Sequence, residues 1–130
     1  MSPVEELPID SETLIQLWDY SLKESEAKGK EAVINPANLE FVAQNIQKML
    51  DKKADKTRIL SYALWGVITM HPFTDGNHRT AIALFYYLAQ ILKVTKAELM
   101  LNDDKISTYA RTVDNKTLEE VYSEMKKMLG

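Results

Sequence analysis

Residues 71–79 read His-Pro-Phe-Thr-Asp-Gly-Asn-His-Arg and separate two long apolar segments of the chain. The segment before them, residues 55–70, has the pattern of a helix that is apolar on most sides, and so does the segment after them, residues 77–93. Pro72 ends the first helix, because the residue before a proline is pushed out of the α region. The sequence therefore predicts two central helices joined by a short polar turn.

Helical periodicity dominates the rest of the chain as well. Residues suited to helix caps mark most of the starts: Asp10 or Ser11 for a first helix, the pair Asn35-Pro36 for a second, Asp55 for the third, and the capping box at 117–120 for the last. Shorter helices are expected at about 96–101 and 103–113. Because strand signal is nearly nil, the predicted fold is all-α, a compact bundle of six to seven helices.

Length and composition narrow the class of protein. The chain has 130 residues, which suits a single domain over residues 1–130, with residues 1–9 expected to form a flexible tail. A net charge of −3 provides no basic field for nucleic acid, and no apolar run is long enough for a bilayer. Cysteine is absent, which excludes disulfides and thiol catalysis and fits a reducing compartment. We therefore expect a cytoplasmic protein without nucleic-acid or membrane partners.

The turn brings together groups that suit phosphate and a divalent cation. It falls at the start of a predicted helix, where free N–H groups and the helix dipole attract anions. Gly76 permits a backbone with positive φ and a close approach by phosphate, and Asn77 tolerates the same conformation or caps the helix. Arg79 can grip phosphate oxygens through two hydrogen bonds, and Asp75 is placed to bind a magnesium ion that bridges phosphates.

His71 ends the preceding helix and can face the same point. An imidazole takes up a proton near neutral pH, so His71 is a candidate general base for a hydroxyl nucleophile. Taken singly, each residue has an ordinary structural explanation: a histidine at a helix end is usually a cap or a surface residue, an arginine an ion-pair partner, and an Asp-Gly pair a turn. Their combination between two buried helices is what predicts a functional site.

The pattern His71-Pro72-Phe73-x-Asp75-Gly76-Asn77-x-Arg79 resembles the signature of the Fic/Doc (Fido) family. The layout of helix, motif and helix is similar to a minimal Fic core, and the capped last helix resembles the single-domain Doc (death-on-curing) branch. The resemblance implies a transferase that uses Mg-ATP to place a phosphate or AMP group on a hydroxyl side chain of a target protein. It covers nearly the whole chain, although only the motif is specific.

The resemblance also implies roles for individual residues. His71 would be the catalytic base, Phe73 the hydrophobic anchor of the active-site loop, and Asp75 the residue that holds magnesium. Four residues would bind the phosphates of ATP: Gly76, Asn77, His78 and Arg79. The segment at 29–35 would form a short flap hairpin that aligns the target chain by strand addition, with a plain loop as the alternative.

Two positions bear on which group is transferred. Fic enzymes that transfer AMP usually carry glycine where this chain has His78, and arginine where it has Ile82. Doc-type proteins carry lysine at the position of His78 and, like this chain, lack the arginine at the position of Ile82. The chain therefore leans towards Doc, in which the nucleotide is thought to bind reversed and the terminal phosphate is transferred. If protonated His78 contacts phosphate, transfer should fall between about pH 6 and 8. Transfer of AMP, and a Fic fold kept only for protein interaction, remain alternatives.

Regulation and partners follow from the same resemblance. The inhibitory Ser/Thr-x-x-x-Glu-Gly/Asn motif of many Fic proteins has no match in the sequence. Either the protein is unregulated in cis, or an antitoxin-like partner inhibits it in trans, as for a toxin. By analogy with Doc proteins, the expected target is a translation factor. A metal-dependent phosphohydrolase is disfavoured, because it normally needs several His or Asp ligands and the chain has only two histidines.

Overall fold

The structure is a computed structural model and describes residues 8–21, 29–102 and 104–130. These residues form eight α-helices and a 3₁₀ turn, without a β-strand, so the all-α prediction is confirmed. One more helix is present than the six to seven predicted, because residues 29–32 form a single helical turn. In chain order the elements are α1 Ser11–Ser21, α2 Gly29–Ala32, α3 Pro36–Asp51, α4 Lys56–Met70, α5 Asn77–Leu92, α6 Thr95–Leu99, α7 Lys105–Ala110, the 3₁₀ turn Val113–Asn115, and α8 Leu118–Leu129.

Helix α4 lies at the centre of the bundle, as its sequence predicts, and packs against α3, α5 and α8. Its residues 59–64 and 66–68 are all buried, so it is enclosed on every side rather than along one stripe. Helix α5 packs between α4 and α1. The turn that joins α4 to α5 is therefore held at one end of the most enclosed part of the molecule. None of the described helices combines the length and the apolar character that a membrane span requires.

The part of the predicted tail that the structure describes packs against α3. Ile9 is buried, and its backbone N–H donates to the side-chain oxygen of Gln47 at 2.6 Å. Asp10 caps α1 as predicted, since its carboxylate accepts a hydrogen bond from the backbone of the first turn. The remainder of the predicted tail, residues 1–7, lies outside the described residues.

The predicted flap hairpin is not present in residues 29–35. Gly29–Ala32 is helical, and only Val33 is paired, in an isolated antiparallel bridge with Phe73. Two backbone hydrogen bonds flank this bridge: the Ile34 N–H donates to the Pro72 carbonyl at 2.9 Å, and the Thr74 N–H donates to the Ala32 carbonyl at 2.8 Å. The segment therefore takes the motif turn as its partner, and because α3 begins directly after it, no residues remain for a second strand.

The caps predicted for helices α4 and α5, at Asp55 and Asn77, are not formed as the sequence suggested. Asp55 occupies the N-cap position of α4, but its carboxylate accepts the hydroxyl of Tyr122 at 2.8 Å and makes no cap hydrogen bond. Asn77 is the first residue of α5, and Gly76 takes the cap position. The predicted capping box at 117–120 is present in full. A long-range contact from α8 thus replaces the local one that the sequence suggested for Asp55.

A polar cluster around Glu124 fixes the segment between α7 and α8. Its carboxylate accepts hydrogen bonds from Lys116 at 2.8 Å and from the Tyr109 hydroxyl at 2.7 Å. The hydrogen bond from Lys116 makes the largest contribution to lowering the pKa of Glu124, and the bond from Tyr109 lowers it further. The pKa of Tyr109 is raised, first by burial and then by its hydrogen bond to Glu124. Lys116 also donates to Thr112 at 3.0 Å, and its carbonyl accepts the indole N–H of Trp65 at 2.8 Å. The segment is therefore attached to both α4 and α8.

We expect Glu124→Gln to lower the free energy of unfolding at pH 7 by about 0.5–1 kcal/mol, a small value because the side chain is 41% exposed. The pKa of Glu124 is lower in the folded state than in the unfolded state. Its contribution to the free energy of unfolding is therefore fully present above the unfolded-state pKa, and it is lost as the pH falls through the folded-state pKa. The difference from wild type should thus be constant at about pH 6–8 and shrink below about pH 5. Urea unfolding at several pH values measures this difference in the free energy of unfolding, with Glu98→Gln as the control. A difference that persists at about pH 3 would contradict the stabilising role of the charged Glu124 carboxylate.

Candidate active site

The motif turn, residues 71–76, is anchored to the core through Phe73. This side chain is completely buried, and its ring centroid lies 6.1 Å from that of Trp18, which is also buried. The Trp18 indole N–H donates to the backbone carbonyl of Asp75 at 3.0 Å. Because Trp18 belongs to α1, the turn is fixed by three helices: the two that it joins and the one on which it rests.

Asn77 organises the turn through three hydrogen bonds. Its buried side chain accepts from the Phe73 N–H at 3.1 Å through Oδ1 and donates to the Phe73 carbonyl at 2.9 Å through Nδ2. The same Nδ2 lies 3.2 Å from Nδ1 of His71. The amide of Asn77 thus binds Phe73 as a neighbouring strand would. The turn is therefore hydrogen-bonded on both edges, by Asn77 on one and by residues 32–34 on the other.

His71 is exposed, and its backbone is held in the left-handed region, with φ 51° and ψ 56° at the C-cap of α4. Two side-chain amides from the start of α3 bind this helix end. Asn38 donates to the carbonyl of Met70 at 2.8 Å, and Asn35 donates to the carbonyl of His71 at 2.9 Å. They satisfy carbonyls that a helix end leaves unpaired. A non-glycine residue keeps this conformation only where its surroundings enforce it, so the backbone of the candidate base is firmly placed.

The bonds of Asn77 also determine which ring nitrogen of His71 carries the proton. Its amide cannot be turned round, because Oδ1 must accept the Phe73 N–H while Nδ2 faces the Phe73 carbonyl. The atom beside Nδ1 of His71 is therefore an N–H donor, and Nδ1 accepts. It follows that the neutral imidazole of His71 carries its proton on Nε2.

The start of α5 presents backbone N–H groups beside the turn. Gly76 has φ 72° and ψ 15°, in the left-handed region that favours glycine. Among residues 8–21, 29–102 and 104–130, no side chain makes a cap hydrogen bond to this helix, and its first backbone hydrogen bond runs from the N–H of Thr80 to the carbonyl of Gly76. The N–H groups of Asn77, His78 and Arg79 precede that bond. These donors have no acceptor among the described residues, and together with the helix dipole they make the start of α5 suited to an anion.

Asp75 offers a single carboxylate at the same place. It is exposed and makes no side-chain hydrogen bond or ion pair within the part of the chain that the structure describes. No group of three or more His, Asp or Glu side chains that could hold a metal occurs among those residues. Magnesium is usually held by one or two carboxylates together with phosphate oxygens of a substrate. The donors at the turn therefore fit a magnesium ion that is bound jointly with a nucleotide.

The side chain of His78 makes a contact that the sequence did not indicate. Its Nε2 lies 2.9 Å from Oδ2 of Asp114 in the 3₁₀ turn, and both side chains are nearly half exposed. The imidazole therefore faces a carboxylate, whereas the backbone N–H of the same residue belongs to the start of α5. The predicted contact of a protonated His78 with phosphate would have to compete with Asp114.

Two adjoining cavities open along α5 from the turn. The nearer one has a volume of about 480 Å³, and the farther one, between α1 and α5, about 580 Å³. Three residues line both: Arg79, Ile82 and Ser107. The nearer cavity is completed by His78, Arg111 and Asp114, and the farther one is mainly apolar and aromatic, with Leu17, Tyr20, Tyr86 and Tyr87 in its wall. The motif arginine therefore sits between a charged compartment and an apolar one.

Sequence reasoning missed the residues that α7 and the 3₁₀ turn bring to this cleft. Ser107, Arg111 and Asp114 lie far beyond the motif along the chain, and no spacing rule links them to it. The available signal is helical: Ser107 and Arg111 are four residues apart and fall on one face of the predicted helix. That spacing shows which residues share a face, but not that the face meets Arg79.

Asn77→Ala should destabilise the protein, because it leaves the N–H and the carbonyl of buried Phe73 without partners. Each unsatisfied buried group costs about 1–3 kcal/mol, so the free energy of unfolding should fall by about 2–4 kcal/mol. Urea unfolding followed by circular dichroism measures this change. Asn102→Ala, which removes an exposed amide outside the site, serves as the control. A loss no larger than that of the control would show that Asn77 does not hold the turn.

The protonation of His71 is open to direct observation. Long-range proton–nitrogen NMR spectra distinguish the two nitrogens of an imidazole, and in the neutral ring of His71 we expect the proton on Nε2. In Asn77→Ala the constraint is gone, and the two tautomers should mix. His78, the other histidine of the chain, provides an internal reference in the same spectra. A wild-type His71 with its proton on Nδ1 would refute the orientation deduced for Asn77.

The comparisons with known proteins agree with this geometry. A family model described as the Fic/DOC family matches residues 8–89, which include α1, α4, the motif turn and most of α5. Searches of curated proteins and of solved structures gave no significant match. The family match covers more than half of the chain, including every residue that builds the turn and its anchor. The chain therefore belongs to the Fic/Doc family.

Proposed function

We propose that this protein transfers the terminal phosphate of Mg-ATP to a hydroxyl side chain of a target protein, as in the Doc branch. Membership of the Fic/Doc family suggests a protein-modifying transferase. One observation supports the finer proposal: the turn ordered by Asn77 carries His71 and Asp75 and leads directly into the start of α5, whose residues His78 and Arg79 line the nearer cavity.

The phosphates are the first requirement. In the proposal the terminal phosphate binds the N–H groups at the start of α5, and the guanidinium of Arg79 binds the phosphate chain. Arg79 is exposed and forms no ion pair with any residue that the structure describes, so it is available for this task. Asp75 would hold a magnesium ion, which when bound neutralises charge on the phosphates. In phosphoryl transfer such positioning and charge stabilisation supply most of the rate enhancement.

The second requirement is a base. His71 would take the proton of the target hydroxyl, while the hydroxyl oxygen bonds to the terminal phosphorus and the bond to the leaving ADP oxygen breaks. In the arrangement described here, Nδ1 is occupied by Asn77 and Nε2 carries the proton, so neither nitrogen is ready to accept. A half-turn about the Cβ–Cγ bond frees Nδ1, and the exposure of the ring allows it. We infer that opening this hydrogen bond precedes proton transfer.

The third requirement is an orientation of the nucleotide. Along α5 the order is the turn, then the charged cavity at Arg79, then the apolar groove with Tyr20, Tyr86 and Tyr87. Aromatic side chains are good partners for a nucleobase, and an apolar groove suits the nucleoside end of ATP. With the nucleoside in that groove, the phosphate chain would run past Arg79 with its far end directed towards the turn. This order of compartments favours transfer of the terminal phosphate over transfer of AMP.

The proposal is tested by incubating the purified protein with cell extract, magnesium and ATP labelled at either the α- or the γ-phosphate. Protein should be labelled from the γ-position only, and His71→Ala should reduce the label at least about a hundredfold, as expected for loss of a general base. Label from the α-position would instead identify an AMP transferase. An absence of label that depends on His71, from either nucleotide, would favour the non-catalytic interaction module.

A further inference from the structure

We propose that Arg111 is a second phosphate-binding residue, which acts together with Arg79 on the polyphosphate chain of the ligand. The inference rests on the proposed function for the identity of the ligand as a nucleotide. The placement of the residue itself rests on the charges, the partners and the cavity described below. Arg111 lies outside residues 8–89, so the family match does not assign it a role.

The arginines of this chain differ in their partners. There are three, and one of them, Arg58, is neutralised: its guanidinium lies 2.6 Å from the carboxylate of Glu119 and 4.9 Å from the ring centre of Tyr122. Arg79 and Arg111 make no hydrogen bond or ion pair with a described residue, yet both line the cavity of about 480 Å³. Two like charges that face one space repel each other, and an anion between them relieves the repulsion.

The walls of the cavity leave this positive charge uncompensated. Among the described residues, Asp114 is the single carboxylate in its lining, and its Oδ2 is already bound to Nε2 of His78 at 2.9 Å. The remaining lining residues, Ile82 and Ser107, are uncharged. Two arginines and one aspartate give the lining of the cavity a net charge of +1, and a protonated His78 would add one more positive charge. The cavity is thus a compartment for an anion.

Helix α7 explains how Arg111 comes to face this compartment. Ile106 and Ala110 are buried in the core, which fixes the rotation of the helix. Ser107 lies on another face of the helix. Arg111 directly follows α7 and keeps helical dihedral angles (φ −65°, ψ −17°), so four residues after Ser107 it falls on the same side, and both line the cavity. The residues that follow are held by the cluster around Glu124. The backbone of Arg111 is therefore held in place, so little backbone conformational entropy is lost there when a ligand binds.

The position of the cavity identifies the part of the ligand that Arg111 would bind. It adjoins the start of α5 on one side and shares Arg79, Ile82 and Ser107 with the apolar groove on the other. A nucleotide that spans both places its inner phosphates between Arg79 and Arg111. The guanidinium fork matches a pair of phosphate oxygens better than a lysine ammonium does.

Equilibrium binding of three probes tests the inference: Mg-ATP, adenosine and inorganic triphosphate, each titrated into the full chain. Arg111→Gln should weaken the binding of ATP and of triphosphate about tenfold or more, because charged hydrogen bonds to phosphate are lost. Adenosine should bind as before. Arg58→Gln makes the same change of charge outside the cavity and serves as the matched control, with an effect below about twofold on either anion. Arg111→Lys should recover only part of the affinity.

The outcomes separate this inference from the proposed function. Equal affinity of Arg111→Gln and Arg58→Gln for triphosphate would overturn the role of Arg111, even if the protein labels its target from γ-labelled ATP. A loss of adenosine binding as large as that of ATP would also overturn it, because the substitution would then be distorting the groove. Triphosphate binding that depends on Arg111, in a protein without any transfer activity, would support the inference while the proposed function fails.

Discussion

The structure of the site depends on the hydrogen bonds between the side chain of Asn77 and the backbone of Phe73. A short irregular turn between two buried helices leaves peptide groups facing the core, and these groups need partners. The amide of Asn77 supplies one donor and one acceptor from the first residue of the next helix. With its remaining donor it reaches the ring of His71. One side chain therefore sets the shape of the turn, the start of α5 and the state of the candidate base.

Much of the fold could be predicted from the sequence, because long amphipathic or apolar helices leave clear periodic signals. The central place of α4 and the capping box before α8 are examples. The prediction was weakest where a distant partner competes with a local one. Asp55 binds Tyr122 from α8, not the N–H groups of its own helix. Residues 33–35 pair with the motif turn, not with a strand of their own, and sequence pattern does not reveal such long-range choices.

The sequence likewise predicted one part of the candidate site and missed the other. The motif residues were identified because they are contiguous, and the structure places them around one turn. The opposite wall of the cleft comes from α7 and the 3₁₀ turn, and its residues meet α5 only through the packing of the whole bundle. The pairing of His78 with Asp114 shows the difference most clearly, because the two partners are 36 positions apart along the chain. A motif thus defines one side of this cleft, and the fold supplies the other.

The two tryptophans have a practical consequence. Each indole donates its N–H to a backbone carbonyl: Trp18 to Asp75 in the motif turn, and Trp65 to Lys116 directly after the 3₁₀ turn. Indole emission responds to the polarity and hydrogen bonding around the ring, so the chain carries one built-in fluorophore beside the motif turn and another beside the 3₁₀ turn. Replacing Trp65 by phenylalanine would leave Trp18, which contacts the motif turn, as the single tryptophan of the chain. Movements of that turn could then be followed by stopped-flow fluorescence without attaching any dye.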